Sequence, residues 1–139
     1  AKLSTEGTKY IFAIRIIKLF QNLPKTDDAR IIGNQLLRSA TSTAPNYTAV
    51  CRARSDAEFF SKIFIVLEEA DETLFCIEIL TESEIMNEER LKPLYLEAEE
   101  IVKIATPSDI IESQNSPILK IQHSSLNIHP SSLIYIYQE

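Results

Sequence analysis

The sequence predicts an all-α protein: an antiparallel up-down-up-down four-helix bundle over residues 1–106, followed by an irregular, poorly structured C-terminal extension over 107–139. Three observations point there. Four segments place apolar residues at spacings of three and four, the period that sets one helical stripe against a core. Their ends fall at Pro24, at the Ser55-Asp56-Ala57-Glu58 segment and at Pro107, residues that stop or start helices for steric and hydrogen-bonding reasons. Beyond Pro107 the chain is rich in Ser, Asn, Pro and Ile and has no sustained stripe, although Leu133 to Tyr137 is apolar enough to be strand-like or docked.

The first helix is expected from about Glu6 to Leu23. Phe12, Ala13, Ile16, Ile17, Leu19, Phe20 and Leu23 fill more than half of its wheel, and Arg15, Lys18, Asn22 and Lys25 make a narrow polar strip. A helix apolar on more than one side suggests self-association. The second begins at the N-cap candidates Thr26 to Asp28, with Ala29, Ile32, Leu36, Ala40, Thr43, Tyr47 and Val50 as its core face. Its opposite face carries Arg30, Asn34, Arg38, Thr41, Pro45, Thr48 and Arg52, so Pro45 is expected to kink rather than break the helix. Small residues from Ser39 to Ala44 permit a neighbouring helix to approach closely just before that bend.

Ser55 and Glu58 form a capping box that starts the third helix, whose expected core stripe is Phe60, Ile63, Leu67, Ala70, Leu74, Ile77 and Thr81. Glu68, Glu69, Glu72, Glu78 and Glu82 lie mostly away from that stripe. Ile65, Cys76 and Ile79 interrupt the acidic side and suggest a second, partly apolar contact. The fourth helix starts near Asn87, with Glu88 and Glu89 complementing its dipole, and buries Leu91, Leu94, Ala98, Ile101 and Ala105 before ending by Thr106.

At 139 residues and 45 per cent hydrophobic, the chain suits one globular domain plus a tail. No run reaches the roughly 18 to 20 apolar residues of a membrane helix, since Arg15 and Lys18 break the first apolar segment. The amino-terminal segment has no apolar core followed by a small-residue cleavage site, so the cytoplasm is the expected location and no membrane partner is expected. Cys51 and Cys76, with no C-x-x-C pair, read as packing residues rather than as a disulfide framework or a zinc site.

The formal charge of −6 conceals a division. Residues 1–65 carry ten basic and five acidic groups, +5, whereas 66–139 carry four basic and fifteen acidic groups, −11. Such asymmetry arises either from basic and acidic helices paired inside one bundle or from a positive surface for an anionic partner, and charge alone favours the first.

Tests for catalysis come back empty. Di-iron bundles need Glu-x-x-His motifs, and none occurs; both histidines, His123 and His129, fall in the tail. With glycine only at positions 7 and 33, no phosphate loop of the Walker or Rossmann type can be written. No enzymatic activity, metal or cofactor is expected. The surface worth weighing is basic: Arg30, Arg38 and Arg52 on one face of the second helix, with Arg54 and Lys62 beyond the turn, form a candidate nucleic-acid-binding set. Phosphate contacts of this kind supply affinity without sequence readout, and no aromatic residue is interleaved for base stacking. The competing reading is salt bridging to the third or fourth helix.

The ordered blocks RIIKLFQNL, QLLRSATSTAPNY, CRARSDAEFFSKIFIVLEEADETLFCIEIL and LKPLYLEAEEIVKI resemble the bacterial four-helix bundle proteins encoded by intervening sequences within 23S ribosomal RNA genes. The likeness covers roughly Tyr10 to Ile104. It implies an antiparallel bundle that assembles into homo-oligomers, pentameric rings included, with no established enzymatic activity. A related branch, the accessory protein of diversity-generating retroelements, binds reverse transcriptase and nucleic acid, which implies RNA or a reverse-transcriptase-like protein as partner. Two departures stand out: Pro45 replaces a small residue in uninterrupted helix, and after Ile104 the chain turns to PSDIIESQNSP where the family continues its last helix. The expected function is that of a non-enzymatic oligomeric bundle contacting structured RNA or an RNA-handling protein. The alternative is a purely protein–protein assembly module or a residual mobile-element product that binds no nucleic acid.

Overall fold

A computed structural model describes residues 11–106 of the chain, apart from the side chain of residue 104. Four helices follow one another with short connections: α1 (Ile11–Gln21), α2 (Asp27–Cys51), α3 (Asp56–Glu82) and α4 (Glu88–Ala105), with no strand among the described residues. The expected start of the first helix near Glu6, the extension over 107–139 and both histidines lie outside the described residues. Neighbouring helices run antiparallel: Tyr95 of α4 meets Glu78 of α3, and the next turns in opposite directions bring Leu91 to Glu82. The result is a four-helix bundle around one apolar core.

Local signals explain where each helix starts and stops. Ser55 Oγ accepts the Glu58 N–H at 3.1 Å, and the Glu58 carboxylate reaches back to the Arg54 N–H at 3.0 Å. The capping box therefore closes one residue earlier than its usual Ser55 N–H partner. Asn87 Oδ1 accepts the Glu89 N–H at 2.7 Å to start α4. α3 ends in a left-handed turn: Glu84 has φ 55°, and the Ile85 and Met86 N–H groups return to the Leu80 carbonyl at 3.1 and 3.3 Å.

Pro45 does not break α2, which runs unbroken through it with the ring exposed on the outer face. Proline removes the donor that would reach the Thr41 carbonyl. Side chains bond the carbonyls around this gap, Asn46 Nδ2 donating to Ser42 O at 2.8 Å and Thr48 Oγ1 to Ala44 O at 3.1 Å. The small residues before it do what their size allows. Ser39, Ala40 and Thr43 are buried, and the Ser39 and Thr73 hydroxyls hydrogen-bond at 3.0 Å between α2 and α3. At Gly33 a Cβ would lie 2.7 Å from Leu23 Cδ1, so the end of α1 rests directly on the α2 backbone.

The core differs from expectation on α3. Phe59, Ile63, Val66, Ala70, Thr73, Ile77 and Leu80 are the buried stripe, whereas Phe60, Leu67 and Leu74 only flank it and Thr81 is half-buried. Cys76, read as part of an outward apolar patch, is fully buried. On α4 all five expected core residues, Leu91, Leu94, Ala98, Ile101 and Ala105, are buried. Burial, followed by the Glu72 carboxylate and opposed by Arg38, pushes the Cys76 thiol up to about 11 from an ordinary 9.0. An acid whose folded pKa is raised adds stability below its unfolded pKa and loses it as pH rises, here from about 9 to about 11. In a Cys51→Ser background, iodoacetamide at pH 8 should therefore leave the native protein unalkylated and modify Cys76 only once urea unfolds it.

Candidate functional site

The basic residues of α2 and the following turn differ in their partners. Arg30 Nη2 is 2.9 Å from Asp27 Oδ1 one turn earlier, an exposed pair within the first turn of α2. Arg38 reaches across to α3, where its guanidinium takes Glu72 at short range and Glu69 Oε2 at 3.3 Å. The hydrogen bond to Glu72, with the two carboxylate charges, holds the Arg38 guanidinium above its ordinary value. Thus Arg38 follows the internal-pairing reading: its charge is spent on the α2–α3 seam, where an exposed pair contributes little stability. Arg52 is the C-cap of α2, Arg54 lies in the turn, and Lys62 sits in the second turn of α3. None of these three makes an ion pair among the described residues.

Sequence reading missed a second charged arrangement. Arg15, expected on an outward polar strip of α1, turns toward α4 and pairs with Glu97, which is 8% exposed. Burial draws the Arg15 guanidinium below its ordinary value. Beyond that pairing, Arg15 Nη1 and Glu97 Oε2 have no hydrogen-bond partner among the described residues. A signal for it existed in the sequence: Glu97 stands three residues after Leu94 and four before Ile101, inside the core stripe of α4.

A groove of about 450 Å³ between α3 and α4 is lined by Glu78, Glu82, Glu88, Lys92, Tyr95 and Leu96, among others. Tyr95 O–H donates to Glu78 Oε1 at 3.2 Å, and this bond holds the phenol above its ordinary pKa. The groove offers carboxylates without a thiol or imidazole. No group of three or more His, Cys, Asp or Glu residues is gathered as a metal site among the described residues, nor is any described helix long and apolar enough to cross a membrane.

Fold and surface together define an all-α bundle protein whose charges pair between helices, as at Arg15 and Arg38, and within them, as at Arg30, and leave Arg52 and Arg54 exposed at one turn. The chain belongs to the 23S rRNA-intervening sequence protein family, whose model matches residues 7–106. Among solved structures it is similar to a protein of unknown function from the S23 ribosomal protein family of Bacteroides thetaiotaomicron VPI-5482. That chain is 31% identical, with a TM-score of 0.65 over 77% of this chain and 98% of the other. No curated protein matches the sequence. Neither description names an enzyme.

Proposed function

We propose that the chain is a non-enzymatic, self-associating four-helix bundle of the cytoplasm that contacts structured RNA through phosphate-directed charge. The observation behind this is the turn between α2 and α3, where Arg52 and Arg54 are exposed and free of ion pairs among the described residues, in a family whose description refers to 23S rRNA. Self-association is supported by α1, which keeps Ile14 and Ile17 exposed at 46% and 38%. Repeating a two-arginine turn around an oligomer turns weak contacts into useful avidity. Such contacts position a phosphate backbone without reading bases.

The test is fluorescence anisotropy with a labelled RNA hairpin across a salt series. Arg52→Glu with Arg54→Glu should weaken binding at least about tenfold at low salt and flatten the salt dependence by about two contacts. No detectable binding by the wild-type oligomer at low salt would reject RNA contact. It would favour the second reading, a protein–protein assembly module, which the engagement of Arg38 with Glu69 and Glu72 supports. A monomer by light scattering at micromolar concentration would reject self-association in both.

A further inference from the structure

We infer that the cleft between α1 and α4 is a second cationic site, built to take a phosphate group. Its walls are Arg15 and Lys18 from α1, Asn22 just past its end and Arg90 from α4, with Leu19 and Leu94 completing the lining, around about 210 Å³. The placement follows from the antiparallel register: Arg15 meets Glu97 at one level, and Asn22 meets Arg90 two turns along α1. Three cations thus line the cleft and one carboxylate, Glu97, pairs with one of them, a local +2 in a chain whose formal charge is −6. Lys18 and Arg90 are exposed and make no ion pair among the described residues. Glu97 does not neutralise the cleft. It is buried behind Arg15 and fixes that guanidinium, while 28% of the Arg15 side chain remains open to solvent.

The ligand chemistry follows from the donors. A planar guanidinium from each of the two helices, with an ammonium beside the one on α1, matches an oxyanion with several acceptor oxygens, which a phosphate supplies and a single planar carboxylate does not. No aromatic residue lines the cleft among the described residues, so a base would find nothing there to stack on and a phosphodiester would be held without sequence readout. Where that phosphate belongs to RNA, the inference rests on the RNA-contact reading above. It adds a contact on a different pair of helices from the α2–α3 turn, one that no basic run in the sequence announces.

The test has two arms, both on the full chain. In the first, thermal unfolding is followed in inorganic phosphate at tens of millimolar against chloride of equal ionic strength. The wild type should gain melting temperature beyond Lys18→Gln/Arg90→Gln, because general salt effects act on both and only the wild type keeps the site. In the second arm, the salt dependence of hairpin RNA binding should fall by about two in the same variant. Lys18→Arg, which keeps the charge and leaves a guanidinium on both walls, should behave as wild type in both arms, so a loss confined to the glutamine variant is a loss of the cations. A phosphate response without RNA binding supports the site and assigns its ligand to a free or small-molecule phosphate, while the RNA reading falls. Equal phosphate responses in wild type and Lys18→Gln/Arg90→Gln, with an unchanged RNA salt slope, overturn the site and leave RNA contact at the α2–α3 turn standing.

Discussion

Phe59→Ala should lower the unfolding free energy by about 3–5 kcal/mol and shift Tm down by well over about 10 °C. Phe59 is fully buried and packs edge-on against Phe60, with ring centroids 5.5 Å apart at 87°. Truncation removes the transfer energy of the ring and leaves a cavity between helices held in place by other buried residues, which cannot collapse into it fully. Phe60→Ala, at a position that only flanks the core, should cost clearly less. Phe64→Ala and Phe75→Ala, residues 49% and 56% exposed, should cost about 1–2 kcal/mol, well below Phe59→Ala. Urea unfolding of the four variants checks the order. Equal losses at Phe59 and Phe60 would contradict the observed rotation of α3.

That rotation shows where sequence reading succeeds and where it stops. The apolar stripe of α4 is legible because mostly charged residues flank it, although the burial of Glu97 within that stripe is not. α3 carries Phe59, Phe60, Phe64, Ile65, Leu67, Phe75 and Ile79, apolar residues on nearly every side. Two stripes one position apart, Phe60-Leu67-Leu74 and Phe59-Val66-Thr73-Leu80, both have the spacing of a core. The choice between them is made by tertiary packing, and on the buried side Thr73, whose hydroxyl also bonds its own Glu69 carbonyl, meets the Ser39 hydroxyl of α2. Capping is legible because Ser55 and Glu58 act within a single turn. Arg38 is legible as a charge on the outer face of α2, but its engagement is not, because Glu69 and Glu72 come from another helix. Arg15 escapes sequence reading for the same reason: whether an arginine in an otherwise apolar helix faces water or a buried carboxylate depends on a partner helix far along the chain.

Removing Arg15 should be the more damaging half of its pair with Glu97, and the asymmetry is itself informative. Arg15→Met leaves the Glu97 carboxylate buried, with Oε2 already lacking a partner among the described residues, and stability should fall by about 3 kcal/mol. Glu97→Met leaves a guanidinium whose long stem can carry it toward water from its partly open position, so the loss should be about 1–2 kcal/mol. Met at both positions removes both charges and should recover most of the stability, ending within about 1 kcal/mol of wild type. The double-mutant cycle by urea unfolding then reports strong coupling between residues on α1 and α4. Additive losses would mean that the two side chains act independently and that the pair does not tie these helices together. Recovery in the double variant would instead show that the bundle does not need the ion pair for its stability. The reason for an arginine at position 15 would then lie in what its open edge faces, the cationic cleft with Lys18 and Arg90. The double variant separates the two roles directly: it should fold nearly as well as wild type and yet lose part of the melting gain in phosphate.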